Sequence, residues 1–354
     1  MAKSPELDLR EDYGRNYLLN SDMRLAQRGT SFTAIANAAY HLDRYQYSKV
    51  GAMVHTVTQD TDAPTLAESG YLFQNSLRYN LTTPDTSLAA GDICTIRQSI
   101  EGYNFANLAQ KKFTLSFWVK ATTPGIYCVA FLNAGVDRSY VAEYTITSSE
   151  VWEKKTITVL ASPSTGTWNY TNSLGLRVVW TIASGSTYHT TAGAWQTGEF
   201  IATANQVNGT NTGSTNFRIT GVMINEGAEA LPFRTAGKTF GGELALCQRY
   251  YEKSYSLDVV PGAITTAGAA HYSRYNGTSV TPGAYFKVEK RTAPIITLRD
   301  TASGAAGSIR NLDANSPVAA SAVESTTSAF SVDTALGVDT TVAYRYQWTA
   351  DAEL

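Results

Sequence analysis

The chain is poor in charge. Asp, Glu, Lys and Arg together make 16% of 354 residues, with a formal net charge of −2, so the sequence supplies no basic surface that could neutralise a phosphate backbone. Nucleic acid is therefore not an expected partner. Leu, Lys and Glu are sparse beside Thr, Ser, Gly, Ala, Asn and Tyr, a balance that disfavours helix and suits strands. Three cysteines, Cys94, Cys128 and Cys247, lack the paired spacing of a zinc site or a disulfide framework and read as reduced core residues. Four histidines, His41, His55, His189 and His271, include no His-x-x-x-His pair. No stretch approaches the ~20 apolar residues of a membrane span, and the opening Met-Ala-Lys-Ser-Pro-Glu-Leu-Asp-Leu-Arg carries no signal-peptide run. Membrane insertion is not expected, and synthesis in a cytoplasm is.

The catalytic fingerprints are missing as well. There is no nucleophile elbow, no phosphate-binding loop with its Lys, and no strand-helix dinucleotide motif. Thr301–Ser308 is Gly-rich but reads as a turn, and Gln59-Asp60-Thr61-Asp62 reads as a polar turn lacking the ligand pattern of an EF-hand. Two carboxylates, Asp137 and Glu143, flank an expected hairpin at Gly135–Tyr140. A glycosidase pair cannot be read from spacing alone, and turn-forming Asp with solvent-facing Glu explains them equally well. The expectation is a protein without enzyme activity, cofactor or metal.

What the sequence does contain is alternation. Phe113, Leu115, Phe117 and Val119 share one face of a strand, with Thr114, Ser116, Trp118 and Lys120 on the other. Leu174–Ile182 repeats the pattern, and Tyr127–Leu132, Thr156–Leu160 and Phe217–Ile224 resemble it. Further strands are expected at Tyr285–Val288, Ala293–Leu298, Ser328–Val332 and Thr341–Trp348. One segment breaks the period: Leu244, Cys247 and Tyr251 within Glu243–Lys253 recur at helical spacing, with Glu243 and Lys253 placed to suit the helix dipole. The expected organisation is an N-terminal arm over 1–15, a large β-sandwich over 16–240, a linker helix over 241–255 and a smaller β-domain over 256–354.

The loops 161–173 and 183–197 carry Trp168, Tyr170, Tyr188 and Trp195 beside Asn169, Asn172 and Gln196. Flat aromatic faces with neighbouring amides are what a pyranose needs, since a sugar has both an apolar face and hydroxyls. The four aromatics are the candidate ligand-binding platform. Aromatics that plug a core edge or a subunit interface would give the same sequence pattern.

Several segments together resemble bacteriophage tail-fibre and related virion proteins. They are Asn16-Tyr17-Leu18-Leu19-Asn20-Ser21-Asp22-Met23-Arg24-Leu25-Ala26-Gln27-Arg28-Gly29, Asp43-Arg44-Tyr45, Gln98–Gly102, Thr114–Ala121, Thr220–Gly227, Pro232-Phe233, Glu243–Glu252 and Trp348–Leu354. Met23 stands where the pattern usually has an aromatic. The resemblance implies an all-β chain: a jelly-roll β-sandwich akin to carbohydrate-binding modules, one short helix, and a C-terminal β-domain. It further implies a structural protein of the phage particle, a short tail fibre or spike contributing to host attachment through a cell-surface glycan. A capsid-decorating head fibre or connector is the alternative. A homotrimer joined to other virion proteins, with residues 1–15 as the attachment arm, is the expected assembly.

Overall fold

The computed structural model describes residues 14–274, 283–334 and 342–354. The chain divides into two compact units, the first formed by residues up to 25, 30–243 and 354, the second by 26–29 and 244–353. Most of the expected arm, residues 1–13, lies outside the described residues.

The first unit contains β1 (Ser31–Phe32), β2 (Tyr45–Val50), β3 (Val54–Asp60), β4 (Ser76–Thr83), β5 (Ile93–Glu101), β6 (Phe113–Ala121), β7 (Gly125–Asn133), β8 (Arg138–Ile146), β9 (Glu153–Val159), β10 (Leu174–Ser184), β11 (Trp195–Thr197) and β12 (Asn216–Glu226). They form two antiparallel six-stranded sheets, ordered β1-β3-β4-β12-β6-β9 and β11-β8-β7-β10-β5-β2. Count β4 through β10 and β12 as eight consecutive strands. The first, eighth, third and sixth then lie side by side in one sheet, and the second, seventh, fourth and fifth in the other. That is the double Greek key of a jelly roll, extended at its edges by β1, β2, β3 and β11.

The core lies between the sheets. Phe113, Leu115, Phe117 and Val119 are fully buried there, facing Val178 and Trp180 across the sandwich, which are equally buried. The opposite face of β6 is less exposed than alternation predicts, because Thr114 and Ser116 are also buried. The Thr114 hydroxyl donates to Gly227 O at 2.9 Å, so the chain leaving β12 covers this end of the sheet. The same holds for β10: Val179 joins an outer apolar cluster with Cys128, Ala130, Leu132, Val141, Ile201 and Ala202. A segment around 198–203 lies across that face, tied down where Thr181 Oγ1 donates to Ile201 O at 2.7 Å.

The opening Asn-rich segment is a buried strap. Asn16 Oδ1 accepts from Leu18 N and Ile224 N, while its Nδ2 donates to Val222 O and Arg234 O. Asn20 makes a similar three-way contact with Leu25 and Asp43. Buried amides with every group partnered fix one geometry, so these residues serve the fold.

The helix is shorter than its periodicity suggests. It spans Phe240–Gln248, and Tyr251–Lys253 is instead strand β13. Glu243 does not serve as an exposed dipole partner: its carboxylate accepts from Asn20 N at 2.5 Å and Gly237 N at 2.6 Å, and burial pushes it above the usual carboxylate range. Lys253 donates to Leu257 O and Val259 O. The apparent helical repeat at Tyr251 comes from aromatics that prefer a pleated sheet and find a partner there.

The second unit continues with β14 (Ala270–Arg274), β15 (Ala284–Tyr285), β16 (Ile295–Asp300), β17 (Ser308–Asn311), β18 (Ser316–Val323), β19 (Ala329–Thr334) and β20 (Val342–Asp351). The long β20 organises it, pairing with β13 and β14 and also with β16 and β17. Its alternating Val342, Tyr344, Tyr346 and Trp348 are all buried with Leu298, Ile309 and Phe330, as the sequence pattern requires. Thr341, expected in the same strand, lies outside the described residues. Of Thr301–Ser308, the stretch from Thr301 to Gly307 turns the chain between β16 and β17, and Ser308 begins β17. The three cysteines are free and buried.

Candidate functional site

Three of the four loop aromatics meet. Trp168 and Trp195 stand edge to face with centroids 5.6 Å apart, and Trp168 and Tyr170 each lie nearly parallel to Phe105, at 5.3 and 6.2 Å. Trp195 also packs on Tyr140 at 5.7 Å, its cross-strand neighbour between β11 and β8. Tyr170 is 41% exposed, whereas Trp168 and Trp195 are half-buried. The result is a ledge at the sandwich edge, not four rings standing free. Tyr188 does not join it. A one-turn 3-10 helix, Ser186–Tyr188, sets that ring on the outer apolar cluster beside Phe200.

The loop under the ledge is held by hydrogen bonds. Asp137 accepts from the Thr167 amide and hydroxyl and from Asn133 Nδ2. These bonds, the Asn133 amide first and the Thr167 amide next, hold the Asp137 carboxyl below its ordinary range. Asn133 Nδ2 and Gly135 N both donate to Thr167 O. Beyond Trp168, Thr171 O and Ser173 O accept from Tyr103 N and Gly102 N, at the one-turn helix Gly102–Phe105. The indole N–H of Trp168 donates to Thr165 O and that of Trp195 to Leu160 O. A 13-residue polar loop is thereby a built surface, whose ordering cost is met before any ligand arrives. The neighbouring amides are partly engaged: Asn169 Oδ1 accepts from Thr171 N, and Gln196 Nε2 donates to Thr191 Oγ1.

Neither carboxylate considered as a hydrolase residue is idle. Asp137 anchors the loop, and Glu143 accepts from Thr203 Oγ1 and Asn205 Nδ2. Gln59–Asp62 is more than a turn: Asp60 pairs with Arg78 and Arg218, and Asp62 with Lys120, a charge network on β3, β4, β6 and β12. His41 and His55, 14 positions apart, share one buried cluster. His41 Nε2 lies 2.6 Å from Tyr79 Oη, and His55 Nδ1 lies 2.8 Å from Tyr47 Oη and 3.9 Å from Cys94 Sγ. Burial, aided by Lys49, drives His55 down to about 3, and burial drives the Cys94 thiol up to about 12. Both are neutral in the folded protein. Among the described residues no group of three or more His, Cys, Asp or Glu is arranged to hold a metal ion, and no helix is long and apolar enough to cross a membrane.

A second concave surface escaped the sequence pattern. Tyr71, Phe73 and Phe233 form a mutual cluster with centroids 4.7–4.9 Å apart. With Trp118, Lys154 and Ser69, Tyr71 and Phe233 line a cleft of about 210 Å³. Gly221, at φ +60° within the bulge of β12, makes the close packing feasible, since a Cβ there would lie 2.6 Å from Phe73. These residues come from five separate stretches with no shared period, so only the register reveals them.

No protein-family model matches the sequence, and no curated protein does. Solved structures give remote likenesses. An enzymatically active domain of tailspike protein 4 of bacteriophage CBA120 is 15% identical, with a TM-score of 0.31 over 55% of this chain, which spans only 21% of that one. A family 11 carbohydrate-binding module of a cellulosomal cellulase of Clostridium thermocellum is 10% identical, with a TM-score of 0.31 over 57% of this chain and 98% of that one. A carbohydrate-binding module solved with β-1,4-galactotriose is 11% identical, at 0.30 over 60% and 99%. The jelly-roll order rests on the strand pairing given above, not on these likenesses.

Proposed function

We propose that the first unit is a non-catalytic glycan-binding module of a phage fibre or spike, and that the ledge of Trp168, Tyr170 and Trp195 is its sugar-contacting surface. The observation that carries this is the ledge itself. Rings up to 27 residues apart in sequence are gathered into one row, Trp168 and Tyr170 on a loop locked by Asp137, Asn133 and Gly102 and Trp195 on β11. Stacking a pyranose face on fixed rings sacrifices little conformational freedom. The placement on a virion, the trimeric assembly and the docking role of residues 1–15 rest on the resemblance of the Asn16–Gly29 opening and the Glu243–Glu252 segment to tail-fibre proteins. In that setting three copies of a weak site act with avidity.

A structural role for the same rings is favoured by one observation: the Trp195 indole donates to Leu160 O, bridging the exposed margins of the two sheets. Trp168→Ala separates the readings. On the glycan reading, host-cell or glycan binding falls at least tenfold, with a stability loss of about 1–2 kcal/mol, roughly half that of a fully buried aromatic. Unchanged binding together with a larger loss rejects the platform.

A further inference from the structure

Beyond the ledge, the outer face of the β5-β10 pair holds two arginines, Arg97 and Arg177, that form no ion pair among the described residues. Arg97 on β5 pairs across to Val179, and Arg177 on β10 pairs across to Ser99. The two are therefore diagonal neighbours on one face, a spacing of roughly 7 Å between side-chain origins. That face also carries Val179 and the apolar cluster under the 198–203 segment, and both arginines are half-buried. Arg177 Nε is enclosed without a hydrogen-bond partner among the described residues, and Arg97 Nε donates to Thr95 Oγ1 at 3.0 Å. Burial first, and the neighbouring Arg177 second, weaken the hold of Arg97 on its proton to about 10. Glu199 is near enough to act on both through its field, yet it forms no ion pair with either. Elsewhere in this unit Arg24, Arg78 and Arg218 all contact carboxylates.

Two adjacent cations in a partly dry setting repel, and neither is in an ion pair that would offset its desolvation among the described residues. Their forked donors match an oxyanion, which would neutralise both. We infer that Arg97 and Arg177 form an oxyanion site, and that its occupant is the carboxylate or sulfate of an acidic sugar. The occupant's identity, though not the anion site, rests on the glycan-binding reading. Tyr188, absent from the ledge, is near enough to act on Arg97 through its field, and Gln46 pairs across to Arg97 from β2. An amide-bearing residue therefore stands beside Arg97 on the same face.

The test titrates the full chain with D-glucuronate, D-glucose and inorganic phosphate by calorimetry. The variants are Arg97→Met and Arg177→Met, which keep the apolar stems, and Arg97→Lys and Arg177→Lys in case a Met variant misfolds. Glucuronate and phosphate should bind the wild type, each Met variant should weaken both at least tenfold, and Lys should weaken them less. Without ligand the Met variants should melt at the same temperature or higher, because repulsion has been removed. Phosphate binding without glucuronate binding would uphold the oxyanion site and overturn the acidic-sugar occupant. Variants that bind both anions as the wild type does, or a wild type that binds neither, would overturn the proposal. If neutral glycan still bound at Trp168 in that last case, the ledge reading would survive.

Discussion

Acid should unfold the jelly-roll unit through His55, and the size of the effect follows from its surroundings. The side chain is 2% exposed, ringed by Tyr47 and Tyr79 at centroid distances of 5.6 and 5.9 Å, with Cys94 and the Lys49 charge nearby. None of these neighbours is a carboxylate that could stabilise an imidazolium. The folded value of about 3 lies below the ordinary 6.5, so between those limits the unfolded chain binds the extra proton and stability falls as pH falls. The contribution is fully present above about pH 6.5 and fades as pH approaches 3. At about 1.4 kcal/mol per pH unit the ceiling is about 5 kcal/mol, and water entry would reduce it to roughly half. Urea midpoints followed by tryptophan fluorescence at pH 7, 5.5 and 4.5 report this unit, because Trp118, Trp152, Trp168, Trp180 and Trp195 all lie in it. His55→Gln keeps an acceptor for Tyr47 and cannot be protonated. It should start less stable but lose less between pH 7 and 4.5, by about 2 kcal/mol. Parallel pH profiles for the two proteins would refute the reasoning.

In the second unit, Lys290 and Glu252 form an ion pair at 2.5 Å with both side chains fully buried, and Lys290 Nζ also donates to Gln248 O and Val288 O. Lys290→Met should cost about 3–5 kcal/mol, whereas pairing it with Glu252→Leu should restore most of that; calorimetric thermal melts check both. Asp137→Ala removes the acceptor of the Thr167 amide and hydroxyl, so amide hydrogen exchange across 163–171 should accelerate while the β7 and β10 amides stay protected. Equal protection in that loop would show that Gly135 and Gly102 suffice to hold it.

The strands with a clean period of two were legible because their burial has a single cause. Phe113 to Val119 and Val342 to Trp348 each face one core, and every member is buried. The misreadings have physical causes of their own. Thr114, Ser116 and Val179 sit on faces that alternation assigns to solvent, but segments distant in sequence, near 227 and 201, lie over them. Tyr251 satisfied a helical spacing by coincidence, while its pairing to Asp351 across a hundred residues decided the outcome. The gathering of Trp168 and Trp195, the cleft under Tyr71 and Phe233, and the Arg97–Arg177 pair all depend on strand register. A local pattern does not encode register between strands that meet only in the fold.

The ledge shows why closure and recognition need not compete. A jelly roll has two open margins, and the one between β9 and β11 must be sealed against water if Phe113 and Phe131 are to stay dry; both are fully buried. Trp195 seals it, with its indole N–H on Leu160 O and its ring on Tyr140. Trp168 leans on it edge-on and is backed by Phe105. An indole has two faces, however, and packing one against protein leaves the other available at a fixed angle. Half-burial is therefore the state expected of a ring that supports the edge and also offers a rigid apolar surface to a sugar. A change in melting temperature alone cannot separate those roles, since losing the inward face is costly either way. The discriminating quantity is binding measured at fixed stability. Trp168→Phe, which keeps a flat ring against Phe105 but shortens the outer face, should retain most of the stability and lose a larger share of the affinity.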